Sequence, residues 1–273
     1  MNAPRRVTLC VDDFGLHAGI DAAVFDLARR GRLGAVSCLV GLPRWHTAGR
    51  ALAALDPDEV DVGLHLDLTE SPLDASLRRP LSAWIARTGL RAVPRDALRA
   101  EIVAQLDAFE AVVGRAPAHV DGHQHVHQLP VVRELLVDVL ARRYRAADRP
   151  WLRCTRPPRG AGAKARLIGA LGGVALERLA RARGFASNAR LLGVHGFDAS
   201  AAAYRARLEA WLAAAGDGDL LMCHPSRAMP AAHDPILPAR LAEAQVLCSD
   251  GLPALLDAAG VTLAPLSHRP ASP

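Results

Sequence analysis

Short β-branched or leucine-rich runs alternate with longer helical patterns along this chain, which predicts an α/β fold of strand–helix units around a parallel sheet. Asp12 with Asp13, His65, His123 and His224 each fall at or near the carboxyl end of a predicted strand. Parallel barrels gather such positions on one rim, where active sites sit. With 273 residues, half of them apolar, the chain has enough material for one such barrel. The expectation is therefore α/β, a single domain over residues 1–273, closed or nearly closed, with about seven parallel strands.

Residues 7–11 read as the first strand. A helix over 18–30 carries Ile20, Ala23, Val24, Leu27 and Ala28 on one apolar face and stops at Gly31. Residues 35–40 are the second strand and 45–55 a weaker helix. In the third strand, 60–68, alternation puts Val60, Val62, Leu64, Leu66 and Leu68 on one side and Asp61, Gly63, His65 and Asp67 on the other. The clearest helix opens with Pro94 and runs to 113, with Leu98, Ile102, Leu106, Phe109 and Val113 in one stripe and Gly114 and Pro117 stopping it. A histidine-rich run follows, then a helix from Pro130 to 143 and a short strand at 151–155. Alanine-rich helices are expected at 164–183 and 199–215, after a Pro/Gly loop at 157–163. A late strand, 220–223, ends at His224-Pro225, and 261–266 reads as the last. No internal repeat is present.

Composition narrows the partners. The net charge of +5 comes almost wholly from arginines, since Lys164 is the only lysine, and these are scattered along helical patterns rather than clustered with aromatics. That describes a solvated surface, not a nucleic-acid face. Cys10, Cys38, Cys154, Cys223 and Cys248 lack paired spacing and read as buried, reduced thiols. No secretion signal or transmembrane segment is evident, so a cytoplasmic protein is expected. Trp45, Trp84, Trp151 and Trp211 read as core or rim packing rather than a sugar-stacking surface.

The chemistry concentrates in His119-Val-Asp-Gly-His-Gln-His-Val-His127 and in Asp12-Asp13. Imidazole nitrogens and carboxylate oxygens are what a divalent cation accepts, and two adjacent carboxylates are hard to bury together unless a cation intervenes. In a regular strand Asp12 and Asp13 point to opposite faces, so joint service at one site requires the strand to give way toward Phe14-Gly15. The alternative is that one of them caps the next helix. His65 sits on the polar face of an apolar strand beside Gly63, which suits a ligand as well as a hydrogen-bonded strand histidine. If the strand persists, His123 and His125 project the same way; if a helical turn intervenes, His123 and His127 share a face, and spacing leaves both open. Asp121 is placed to hold a histidine tautomer from behind. His224, after an apolar strand and before Pro225, is a candidate general acid as well as a candidate buried histidine. His17, His46, His195, His233 and His268 carry no comparable context.

Val-Asp-Asp-Phe-Gly-Leu (11–16), Val-Gly-Leu-His-Leu (62–66), the run 119–127 and Met-Cys-His-Pro (222–225), in this order, resemble the YdjC-like carbohydrate deacetylases, which include chitooligosaccharide and hopanoid-biosynthesis-associated deacetylases. The resemblance implies a distorted (β/α) barrel that removes acetyl groups from acetamido sugars with one divalent metal. By motif it implies Asp13, His65 and His123 as ligands, Asp12 as catalytic base and His224 as acid. Arg153 and Arg156 fall in a segment similar to the family's arginine-containing strand, where a guanidinium orients Asp12 or a substrate oxygen. His125, His127 and Asp121 would lie behind the ligands or against substrate. Val11 stands where the family usually has a small or polar residue, and residues 70–95 and 157–200 match less well, a place for substrate choice.

The expected chemistry is hydrolytic N-deacetylation of a chitooligosaccharide or a glycolipid head group, with zinc or magnesium, and cobalt or manganese as alternatives. A homodimer is compatible with the sequence. Two rival readings follow from the same residues: a non-haem iron oxygenase with two histidines and one carboxylate, and a metal- or sugar-binding module without catalysis.

Overall fold

The computed structural model describes residues 4–198, 200–227 and 234–268. Its centre is β1 (Arg5–Phe14), flanked by β2 (Ala35–Cys38) on one side and β7 (Asp219–Cys223) on the other. The sheet runs outward from β2 through β3 (Asp61–Leu66) and β4 (His119–Gly122) to β5 (Trp151–Leu152), and from β7 to β6 (Leu191–Leu192). All pairings are parallel, and β8 (Val261–Leu263) adds to the start of β1. The two ends of the sheet meet: Leu152 bridges Ser187, and the Leu191 N–H donates to the Arg156 carbonyl at 2.7 Å. This is the distorted, nearly closed (β/α) barrel that the alternation predicts.

Period-two alternation in β1 divides the core. Val7, Leu9 and Val11 belong to the large apolar cluster between sheet and helices, whereas Cys10 packs with Trp151, Leu191, Leu220 and Met222 inside the ring. The helices α1 (Ala18–Arg29), α2 (Trp45–Leu52), α4 (Arg95–Val113) and α5 (Val132–Arg143) cover the first half of the sheet's outside, while α3 (Leu81–Gly89) packs against the turn that follows β4. In α4 the expected stripe from Leu98 to Val113 is buried, and Gly114 closes the helix in the left-handed region with φ 78°. Trp45, Trp84 and Trp151 are buried and Trp211 is partly so, as expected. All five cysteines are buried free thiols.

Several expectations change. The strand at 151–155 is only two residues long, and β6 and α3 have too little periodicity to be seen in sequence. The helix expected over 164–183 is broken into α6 (Ala163–Ile168), a wide π turn (Gly169–Gly173) and α7 (Val174–Ala182). The cause is close approach: a Cβ on Gly172, which has φ 147°, would lie 2.1 Å from the Gln128 carbonyl oxygen. The helix at 199–215 is α8 (Ala201–Ala214), with residue 199 outside the described residues. After it come α9 (Leu237–Leu247) and α10 (Leu252–Ala259), neither anticipated. Among the described residues no helix is long and apolar enough to cross a membrane.

Candidate functional site

The carboxyl ends of the strands open into a cleft of about 570 Å³ lined by Asp12, Asp13, His65, His123, His125 and His224, among others. Asp12 and Asp13 both reach it because β1 breaks register between Val11 and Phe14 and Asp13 takes φ 67°. The strand gives way where joint use of the pair requires.

Three donors converge there: Asp13, His65 and His123 each offer an atom, all within 4.8 Å of one another. Asp13 Oδ1 lies 3.0 Å from His123 Nδ1 and 3.5 Å from His65 Nε2. Each ring also has a carboxylate on its far side. His65 Nδ1 meets Asp121 Oδ1 at 2.6 Å, and His123 Nε2 meets Glu70 Oε1 at 3.3 Å. With those far nitrogens protonated, two imidazole lone pairs and a carboxylate oxygen face one another, an arrangement that calls for a cation between them. The nitrogen and oxygen donor set fits a divalent metal. Burial pulls both imidazoles down, but Asp121 and Asp13 respectively bring the net effect to a raised pKa when no metal competes.

The histidine run follows neither geometry open to the sequence. β4 ends at Gly122, and Gln124 and His125 then adopt left-handed backbone, φ 51° and 61°, inside a tight turn from His123 to Gln128. His123 alone joins Asp13 and His65. His125 lines the cleft, burial holding its pKa down to about 3. His127 turns inward to the Arg153 carbonyl at 3.0 Å, and burial holds it to about 4. His119 stacks on Trp151 beneath the site and approaches Gly63 so closely that a Cβ there would lie 2.3 Å from its ring. Gly63 therefore serves packing between β3 and β4.

Arg153 is fully buried and grips both oxygens of Asp12 at 2.6 Å, while its Nη2 lies 2.5 Å from Asp121. Burial raises both carboxyls; the guanidinium more than offsets this, leaving Asp12 below its ordinary value and Asp121 well below. His224 Nε2 stands 3.8 Å from Asp12 Oδ2. Burial lowers the His224 imidazole against the opposing pull of Asp13, Glu243 and Asp12. Arg156 departs from expectation. Its guanidinium is half-exposed and paired with Glu177 outside the cleft, because the chain has left β5 and turned to the surface.

Helix α9 supplies what sequence reasoning missed. Arg240 Nη2 bonds Asp13 Oδ2 at 2.7 Å and its Nε bonds Asp234 at 2.7 Å. Glu243 accepts the His224 backbone N–H at 2.6 Å and meets His195 Nε2 at 2.9 Å. His17 pairs with the same Asp234 at 3.2 Å. His17 and His195 thus belong to the cleft wall, whereas His233 lies outside the described residues. The only legible signal was a pair of charges on an otherwise apolar helical pattern.

Much of the remaining wall is apolar, with Leu16, Leu81, Ile85, Leu171, Phe197 and Ile236 among its residues, and none of the four tryptophans lines it.

A family model described as YdjC-like protein matches residues 6–258. Similar curated proteins include a carbohydrate deacetylase of Mus musculus, 34% identical over 51% of this chain and 49% of that protein. Another, from Geobacillus stearothermophilus, is 33% identical over 57% and 63%. A chitooligosaccharide deacetylase of Yersinia enterocolitica is 33% identical over 46% and 51%. The chain thus spans between about half and two thirds of the length of these relatives. Among solved structures, a candidate cellobiose-phosphate cleavage protein from Enterococcus faecalis superposes with TM-score 0.69 at 18% identity, covering 97% of this chain and 98% of that one. The Bc1960 peptidoglycan N-acetylglucosamine deacetylase superposes at 0.53 and 12% identity, over 96% and 86%. At these identities the likeness is one of fold.

Proposed function

The chain belongs to the YdjC-like protein family, and from that membership and the cleft we propose that it is a metal-dependent hydrolase removing N-acetyl groups from an acetamido sugar. The observation that carries this reading is the pairing of Asp12 and His224, 3.8 Å apart, beside the three donors Asp13, His65 and His123. A divalent ion held by those donors would supply Lewis acidity toward the acetamide oxygen and a more acidic water.

The chain's own residues divide the proton work. Arg153 keeps Asp12 ionised and fixed, so a carboxylate is ready to accept a proton from the attacking water. His224, as imidazolium, donates to the departing amine when the C–N bond breaks, giving acetate and the free amino sugar. Burial favours the neutral ring, so His224 is charged only after it has taken up a proton, and once charged it gives that proton up readily. Asp121 holds the His65 tautomer, and His127 supports the Arg153 backbone.

Zinc or magnesium suits the mixed donors, with cobalt and manganese as alternatives. The reading includes a cytoplasmic setting, supported by five buried thiols. The apolar wall favours an acetamido sugar carried on an apolar group, the glycolipid-type substrate, over a fully hydrated oligosaccharide. An oxygenase would leave Asp12, Arg153 and His224 without a part, and a binding module would have no use for a base beside an acid.

The test is acetate release from metal-stripped protein with one ion restored at a time, on acetylated chitooligosaccharides and on glycolipids with an N-acetylglucosaminyl head. Metal-dependent acetate without oxygen uptake supports deacetylation; oxygen consumption, or no acetate from any substrate, overturns it.

A further inference from the structure

Each carboxylate of the Asp12-Asp13 pair has its own buried guanidinium, and the two are used differently. Arg153 grips both oxygens of Asp12. Arg240 bonds only Oδ2 of Asp13, leaving Oδ1 turned toward His65 and His123. Arg240 is itself 3% exposed, and its own anchors are fixed: Nε on Asp234, Nη1 at 3.5 Å from the His224 carbonyl, and its carbonyl accepting the Ser226 N–H at 3.0 Å. A planar fork held at this many points cannot follow Asp13 if the carboxylate rotates.

We propose that Arg240 is a positioning residue that restricts Asp13 to one oxygen toward the cation and thereby sets which divalent ion the site prefers. This rests on the deacetylase reading, in which Asp13, His65 and His123 hold that ion. With Oδ2 occupied, the protein offers one oxygen and two nitrogens, a small donor set that favours zinc or cobalt in low coordination. With Oδ2 free, the carboxylate can chelate through both oxygens, which favours ions that take more oxygen ligands, such as manganese. The positive charge behind Asp13 also weakens its attraction for any cation. Asp234 works in the opposite sense, drawing part of that charge away.

The experiment compares wild type, Arg240→Gln, Arg240→Lys and Asp234→Asn, each purified whole and stripped of metal. Zn2+ and Mn2+ affinities are measured by equilibrium dialysis, the Co2+ adduct by its visible absorption, and the melting temperature with and without metal. In Arg240→Gln the preference for Zn2+ over Mn2+ should fall by about 10-fold or more, the usual scale for changing a ligand's outer partner. Its Co2+ bands should weaken as coordination number rises, and its melting temperature should depend more strongly on metal than wild type's. Arg240→Lys, which keeps the charge, should lie between. Asp234→Asn should bind both ions more weakly, and it carries the test if Arg240→Gln does not fold. Wild-type metal selectivity and Co2+ spectrum in every variant that folds would overturn the proposal. Failure of wild type to bind Co2+ or Zn2+ at all would overturn the deacetylase reading beneath it.

Discussion

Arg153 sits between two buried carboxylates, Asp12 and Asp121, with no water-exposed route for its charge. Replacing it with methionine strips Asp12 of its bidentate partner and leaves Asp121 to His65 and Ser37, so Arg153→Met should lose about 3–5 kcal/mol, measured by urea unfolding. Wild-type stability in that variant would show that the carboxylates are neutral or otherwise paired. His224 is held through its backbone by Glu243 and by edge contact with Phe197, ring centroids 5.3 Å apart. His224→Ala should therefore stay folded by circular dichroism and lose about 10²–10⁴-fold in acetate release, the worth of a general acid. Asp12, Asp13, His65 and His224 were legible in sequence because each interrupts an apolar run toward a strand end, and His123 because it belongs to a dense run of histidines. Arg240 and Glu243 were not, since a charge on a helix is ordinarily solvated and only the packing of α9 against the rim buries it, and Asp234 was not, since it lies in the loop before that helix.

Among the elements, the break between α6 and α7 was missed because alanine and leucine on both sides favour one continuous helix, although Gly169, Gly172 and Gly173 mark the place where it fails. The backbone of Gly172 lies against the turn that follows the site, and Gly172→Ala should cost about 1–3 kcal/mol or more through overpacking at a left-handed position, read as a lowered melting temperature. Helices α4 and α5 are tied by Glu110, which accepts from Arg143 at 3.1 and 2.6 Å and from the Tyr144 hydroxyl. Burial raises the Glu110 carboxyl, but these donors leave it below its ordinary value. A depressed folded-state pKa adds stability above the unfolded value, roughly 4.3, and loses it as pH falls through the folded one. Glu110→Gln should be less stable than wild type near neutrality by about 0.5–1 kcal/mol, and the gap should close in acid. A gap independent of pH would remove the carboxylate from the account.

For the molecule as a whole, a cation that binds only the folded barrel must stabilise it, by about 2.7 kcal/mol when present at 100 times its dissociation constant. Calorimetry of metal-stripped protein should show the melting temperature rising with added ion, and Asp13→Asn should abolish the rise; an equal rise in that variant would place the ion elsewhere. The barrel was legible because β1, β3 and β7 alternate or run apolar over four residues or more. The strands that complete the ring were less so, since β5 has only two residues and β6, also of two, was not anticipated; each is joined to the segment beside the other, Leu152 to Ser187 and Leu191 to Arg156, rather than through a patterned stretch.

β1 has a further consequence for how the chain is made. Val7 pairs with Asp219 and Arg5 with Val261, so β1 finds most of its strand partners in segments made far later along the chain. While the ribosome is still at work, Asp12 and Asp13 have neither Arg153 nor Arg240 to neutralise them. Long-range closure of this kind is slow and leaves an apolar strand unshielded in the meantime. During translation the nascent barrel must therefore wait, with its most chemically demanding strand open, until β7 and β8 have emerged.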